Sequence, residues 1–169
     1  MIQTLTMNAL VIGRFQPFHN GHLQLITKLS KTYKTIIIGI GSSQYSHTTE
    51  NPFSYEERSQ MITKTLQHNN ITNFTIHPIP DLHDPPHWVK HVTSLTPTFD
   101  VVITNNNFTE QLFKEKNYTV KHTSLYNRDE YSGKEIRHRI KEKNPWKQLV
   151  PPEVYTYIQK IDGENRIRQ

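Results

Sequence analysis

Ala9-Leu10-Val11-Ile12-Gly13-Arg14-Phe15-Gln16-Pro17-Phe18-His19-Asn20-Gly21-His22 is the stretch on which the fold turns. Four apolar residues run to a glycine. A loop follows that holds a proline, an Asn-Gly pair and two histidines. Apolar spacing then resumes at Leu23, Ile26, Leu29 and Tyr33, as on one face of a helix. The pattern predicts a buried strand, a tight loop and a helix capped by Asn20. Backbone N–H groups at a helix start have no intrahelical acceptor, and the helix dipole favours negative charge there. Gly13 and Gly21 leave room for a ligand against the main chain, and His19 and His22 supply donors beside it, an arrangement that suits phosphate. A solvent-facing histidine pair would show the same spacing, so both readings stand on residues alone. A zinc centre would need more than two histidines, and the chain has no cysteine.

Further along, Thr35-Ile36-Ile37-Ile38-Gly39-Ile40 is a continuous β-branched run, expected of a parallel strand buried on both faces. The small, hydroxyl-rich loop from Gly41 to Thr48 follows it, at the end of a strand where open α/β sheets bind ligands. Ser42, Ser43 and Ser46 are its phosphate donors in that reading; in the other they are solvated loop residues. Ser54 and Glu57 form a capping box that opens a helix to about His68, with Met61, Ile62 and Leu66 inward and Arg58 in a structural role. Phe74–Ile79 predicts a third strand, ended by Pro80. A helix is expected from near Pro86 to Leu95, and Trp88 at its start is placed in the core by position. Phe99–Thr104 and Tyr118–His122 are the fourth and fifth strands. The asparagines 105–107 after the fourth suit adenine or ribose recognition, or simply a turn. Ser132 and Glu135 form another capping box, whose helix start can receive phosphate and carries Arg137 five residues on. A last helix runs through Ile161, and the polar residues 163–169 are expected to fray.

Strands alternating with helices imply an α/β fold. The expectation is a single Rossmann-like, doubly wound domain over residues 1–169, with a five-stranded parallel sheet ordered 3-2-1-4-5 and helices on both faces. Residues 1–7 are an extension. The length of 169 residues is ample for one core. The absence of cysteine excludes a disulfide scaffold and thiol chemistry. No apolar run approaches membrane-spanning length and the first eight residues do not form a signal peptide, so a cytoplasmic location is expected. The net charge of +5 and pI of about 9.4 point to an anionic partner. The basic residues are scattered rather than bunched, which favours a triphosphate cleft over nucleic acid.

The loop Gly13–His22 resembles the signature of the nucleotidylyltransferases, whose core is His-x-Gly-His. Its ten-residue form resembles the nicotinamide-nucleotide adenylyltransferases of the archaeal type in particular. The stretch Gly41-Ser42-Ser43-Gln44-Tyr45-Ser46-His47 is similar to one in that family, as is Asp81 followed seven residues later by Trp88. Ser132-x-x-x-x-Arg137, with Arg128 upstream, resembles the family's second motif. The resemblance implies transfer of AMP from ATP to nicotinamide mononucleotide, forming NAD and pyrophosphate, with Mg2+ entering with ATP.

The same resemblance implies catalytic roles for His19, His22, Arg14 and Arg137. It assigns Gly13, Phe15, Gln16, Asn105 and Arg128 to ATP and its phosphates, together with Tyr131, Ser132 and Gly133. Ser42, Asp81 and Trp88 fall to the mononucleotide, with Trp88 stacking on nicotinamide, which reverses its placement by position. Relatives often carry asparagine where Pro85 stands. A homo-oligomer, a hexamer, is also implied. Transfer to pantetheine phosphate or a flavin would keep the phosphate machinery without needing Trp88. A non-enzymatic nucleotide sensor would not need both histidines.

Overall fold

The computed structural model describes residues 4–124 and 129–169. Its sheet has the strands β1 (Asn8–Gly13), β2 (Thr35–Gly41), β3 (Phe74–Ile79), β4 (Val101–Ile103) and β5 (Thr119–Lys121). All pairings are parallel and the order is β3-β2-β1-β4-β5, as the alternation of elements predicted. β1 is central, with Gly13 registered opposite Ile40 of β2.

Period-two alternation sorts the strand residues into two cores. Ala9, Val11, Ile36, Ile38, Ile40, Val101 and Ile103 face one; Leu10, Ile37 and Val102 face the other. Over the first lie α1 (Asn20–Ser30), α2 (Tyr55–His68), α5 (Gly133–Lys141), α6 (Pro152–Lys160) and α7 (Gly163–Arg168), through Ile26, Ile62, Ile140, Ile158 and Ile167 among others. Over the second lie α3 (Pro85–Leu95) and α4 (Asn107–Glu115), through Val89, Val92 and Phe113. Burial on both faces is why β2 is apolar without interruption.

The carboxyl-terminal residues depart from expectation. Residues 163–169 were expected to fray, but 163–168 form α7, with Ile167 in the core. Arg166 Nη1 donates to Glu57 Oε2 (2.6 Å) and to the Pro52 carbonyl (3.0 Å), and Arg168 Nε donates to the Ile140 carbonyl (3.0 Å). The segment reads as polar, but its arginines are spent on neighbouring carboxylates and backbone carbonyls. One buried isoleucine is too little periodicity to signal a helix. Among the described residues, no helix is long and apolar enough to cross a membrane.

Candidate active site

The loop after β1 is built on aromatic packing around one imidazole. Phe15 takes a left-handed backbone conformation (φ 51°), which costs a side-chain-bearing residue about 1–2 kcal/mol. It thereby sets its ring over Gly13, where a Cβ would stand 3.0 Å away. The Phe15 ring meets His22 edge-on at 4.8 Å between centroids, and the Phe18 ring stacks on His22 at 5.4 Å. Both phenylalanines are buried.

The cap of α1 is His19, not Asn20. The His22 N–H donates to His19 Nδ1 (3.3 Å), and the His19 N–H donates to His22 Nδ1 (3.2 Å), so the two histidines form a reciprocal capping box. Imidazole Nδ1 sits about as far from the backbone as the side-chain oxygen of asparagine and accepts in its place. Asn20 instead spends its amide on the Gln148 carbonyl (2.9 Å). Each Nδ1 is an acceptor here, so each neutral ring carries its proton on Nε2. The rings stack 3.5 Å apart between centroids. Burial lowers His19 from 6.5 to about 4; burial, and then the nearness of His19, hold His22 well below its ordinary value. Both imidazoles are therefore neutral N–H donors at pH 7.

A cavity of about 530 Å³ opens above the start of α1. Gly13, Arg14, Phe15, Gln16, His19 and His22 line it from the first loop, and Asn105 from the end of β4; Tyr131, Ser132, Gly133 and Arg137 line it from the start of α5. Of the residues expected at ATP, Arg128 lies outside the described residues. Ser132 caps α5 by accepting the Glu135 N–H (3.1 Å), while the Glu135 carboxylate receives Arg139 Nε (2.8 Å). Two glycines permit the closure of α5 on the loop. A Cβ on Gly21 would stand 3.2 Å from Tyr131 Cβ, and one on Gly133 would stand 2.9 Å from both Arg137 Nη1 and the Gln16 carbonyl. Arg137 Nη1 donates to that carbonyl (2.7 Å), which joins the two sequence motifs directly. Burial, then the charge of Arg14, lowers the Arg137 guanidinium pKa, and Glu50 opposes that.

Ser42, Asp81 and Trp88 do not line this cavity. Ser42 and Asp81 stand on the loops after β2 and β3, on the other side of β1, and Trp88 stands near the start of α3, the helix that follows β3. Ser42 Oγ donates to Asp81 Oδ2 (2.9 Å). Trp88 is half-buried in the first turn of α3, packed against the second core and 5.6 Å from the His91 ring, so it is neither sealed in nor free. Pro85 stands at the first position of α3, and its N-cap Asp84 makes no side-chain cap bond.

Three side-chain amides pair doubly with backbone beyond the strand ends. Gln16 bonds Phe53 N–H and carbonyl (3.0 and 2.9 Å), Gln44 bonds those of Asp81 (2.9 and 3.3 Å), and Asn105 those of Thr123 (3.1 and 3.0 Å). Gln16 and Asn105 thus reach the cavity with their amides already committed. The residue that sequence reasoning missed is Thr123, which lines the cavity and whose buried Oγ1 has no hydrogen-bond partner among the described residues. Thr123 gave one weak signal, its place just after the fifth strand. Arg58 was read as structural; it is fully buried, and burial lowers its guanidinium to about 10, still charged at neutral pH.

Residues 10–139 match the model of the cytidylyltransferase-like family. A nicotinamide-nucleotide adenylyltransferase of Methanococcus maripaludis is 52% identical over 163 residues, covering 96% of this chain and 95% of that protein. One from Thermoplasma volcanium is 46% identical over 169 residues, covering all of this chain and 95% of that protein. Among solved structures, a bifunctional NMN adenylyltransferase/ADP ribose pyrophosphatase of Francisella tularensis, complexed with AMP and a manganese ion, superposes with a TM-score of 0.78 at 25% identity. That match covers 96% of this chain and 52% of the larger one.

Proposed function

We propose that this chain, which belongs to the cytidylyltransferase-like family and within it to the nicotinamide-nucleotide adenylyltransferases, transfers AMP from ATP to nicotinamide mononucleotide, giving NAD and pyrophosphate. The observation that carries the reading is the convergence of two Nε2-protonated imidazoles and two arginines, Arg14 and Arg137, on one cavity at the starts of α1 and α5. An oxygen of the mononucleotide phosphate attacks the α-phosphorus. The new O–P bond forms as the bond to the bridging oxygen of the β-phosphate breaks, and pyrophosphate leaves with that electron pair. The attacking phosphate is already anionic, so no general base is required. The protein's contribution is positioning and stabilisation of charge on the transferring group and the leaving group.

In this reading His19 and His22 donate Nε2–H to phosphate oxygens, and Arg14, Arg128 and Arg137 hold the triphosphate. Gly13, Phe15, Tyr131, Ser132 and Gly133 shape the phosphate cradle. Gln16 and Asn105 act through main chain, because their amides are paired with Phe53 and Thr123. Ser42, Asp81 and Trp88 receive the mononucleotide, with the indole face on nicotinamide. Among the described residues, no group of three or more histidine and carboxylate side chains is placed to hold a metal ion. Arginines and imidazoles face the phosphates instead, which fits magnesium arriving as part of the substrate, MgATP, and neutralising triphosphate oxygens. A homo-oligomeric assembly belongs to the same proposal and is checked by light scattering.

The test is a pyrophosphate-release assay with ATP and CTP against a panel of phosphorylated acceptors. ATP with nicotinamide mononucleotide is expected to give the largest kcat/KM, with NAD recovered as product. Preference for pantetheine phosphate or FMN would refute the acceptor, and preference for CTP would refute the donor.

A further inference from the structure

Arg58, in the first turn of α2, is the largest side chain with no solvent exposure among the described residues. Its guanidinium is spent on main-chain carbonyls. Nη1 donates to Arg14 O (2.9 Å) and Gly41 O (2.8 Å), Nη2 to Ser42 O (3.2 Å), and Nε to Ser54 O (3.1 Å). Arg14 opens the loop after β1, immediately before Phe15 with its φ of 51°. Gly41 ends β2, and Ser42 beside it has a φ of 48°. The β1–β2 ladder stops at the Gly13–Ile40 pair, and the guanidinium spans the two chains just beyond it. A planar fork with five N–H groups can meet carbonyls on both sides at once; an ammonium is a single point on a flexible stem.

We propose that Arg58 is a positioning residue for the transfer, fixing the separation between the loop that carries His19 and His22 and the loop that carries the Ser42–Asp81 pair. The proposal rests on the reading of those loops as the ATP half and the mononucleotide half of the site. Each loop has an anchor of its own: Gln16 on Phe53 for the first, Ser42 and Gln44 on Asp81 for the second. Loss of the guanidinium therefore leaves two formed half-sites at an altered spacing. A ligand that touches one half is insensitive to that spacing. A ligand or transition state that spans both is not.

Arg58→Lys and Arg58→Met are compared with the parent protein at temperatures well below their melting points. The dissociation constants of ATP and of nicotinamide mononucleotide, each measured alone, are expected to stay within about threefold. That of NAD, which presents both halves at fixed spacing, should rise by about 10–100-fold. The kcat should fall by about 100-fold, the scale of a misplacement near 1 Å. Hydrogen exchange in the free protein should quicken at residues 14–16 and 42–45 and stay slow in β1 and β2. If Arg58→Met does not fold, Arg58→Lys carries the comparison. Equal weakening of ATP, mononucleotide and NAD, or a melting temperature that falls while NAD affinity and kcat hold, would overturn the proposal and leave Arg58 as packing. A parent protein that makes no NAD would overturn the substrate reading instead. The exchange measurement then still decides the clamp, since loops with unchanged exchange in Arg58→Lys would refute it.

Discussion

Replacement of His19 by asparagine separates two jobs that the structure gives to one ring. Nδ1 caps α1 by accepting the His22 N–H, and the proposed mechanism uses Nε2–H as a donor to phosphate. Asparagine is among the best N-cap residues, so His19→Asn should keep the cap, but its amide is too short to reach where Nε2 stands. Losing one donor to developing charge costs about 10²–10³ in kcat, or about 2.7–4 kcal/mol. His19→Ala should lose the donor and the cap together. The cap is worth about 0.5–2 kcal/mol, and at this chain length each kcal/mol moves the melting temperature by about 2–4 °C. His22→Gln tests the partner, because glutamine is an ordinary third residue of a capping box. It should also lose the ring contacts with Phe15 and Phe18, and so melt earlier than His19→Asn. The measurements are kcat from pyrophosphate release at saturating substrates and thermal unfolding of the same preparations. His19→Asn with kcat within about threefold of the parent would refute the donor role. So would a His19→Ala defect in kcat that His19→Asn fully repairs, since the cap alone would then account for it.

Acid should destabilise the fold early. The pKa of His19 is about 4 folded against 6.5 unfolded, so its contribution is complete above pH 6.5 and is lost as pH falls toward 4. By pH 4 that amounts to about 3 kcal/mol, read as a drop in urea midpoint that His19→Asn should reduce. Trp88→Ala should raise the KM for nicotinamide mononucleotide by roughly 5–150-fold, from a stack worth about 1–3 kcal/mol, and leave the KM for ATP alone. A large fall in melting temperature with an unchanged acceptor KM would make Trp88 packing instead. Gly133→Ala drives a methyl to 2.9 Å from Arg137 Nη1 and from the Gln16 carbonyl, so it should lower kcat/KM by about 10–100-fold through a displaced guanidinium. Unchanged kinetics would show that the contact between Arg137 and Gln16 is dispensable.

The sheet was legible because β1, β2 and β4 carry apolar residues on both faces and glycines or asparagines mark where they stop. The strand order followed from alternation with helices. The cavity lining was legible for a different reason: His19, His22, Arg14 and Arg137 are residue types whose donors suit phosphate, and each sits beside a helix start. Residue chemistry did not show how those groups are oriented. That His19 caps its own helix through Nδ1 depends on a loop conformation set by Phe15 at positive φ, and phenylalanine announces no such conformation. Arg58 was invisible as a clamp because the loop carbonyls it joins lie 16, 17 and 44 residues away, and carbonyls carry no sequence signal. Gln16 and Asn105, expected at ATP, do line the cavity, but with their amides paired to backbone. Both are polar residues at strand ends, where ligand recognition and backbone pairing call for the same side chain.

That last ambiguity has a physical resolution. A parallel ladder ends where neighbouring strands part toward their loops, and any backbone N–H and carbonyl just beyond must still be paired if buried. A side-chain amide offers one donor and one acceptor in nearly peptide geometry. Gln16, Gln44 and Asn105 each use both, at the ends of β1, β2 and β4. The rim of the sheet is thereby held by side-chain amides, and its loops can keep backbone as demanding as Phe15 and Ser42. The amides that hold the rim cannot also turn toward a nucleotide without releasing backbone partners; for the buried Gln16–Phe53 pair that costs about 1–3 kcal/mol for each group left unpaired. In the proposed function, recognition would therefore fall to groups with donors still unspent: the two Nε2–H groups, the remaining guanidinium N–H groups of Arg14 and Arg137, and Thr123 Oγ1. All of these line the same cavity, beside the one strand that neighbours both halves of the sheet.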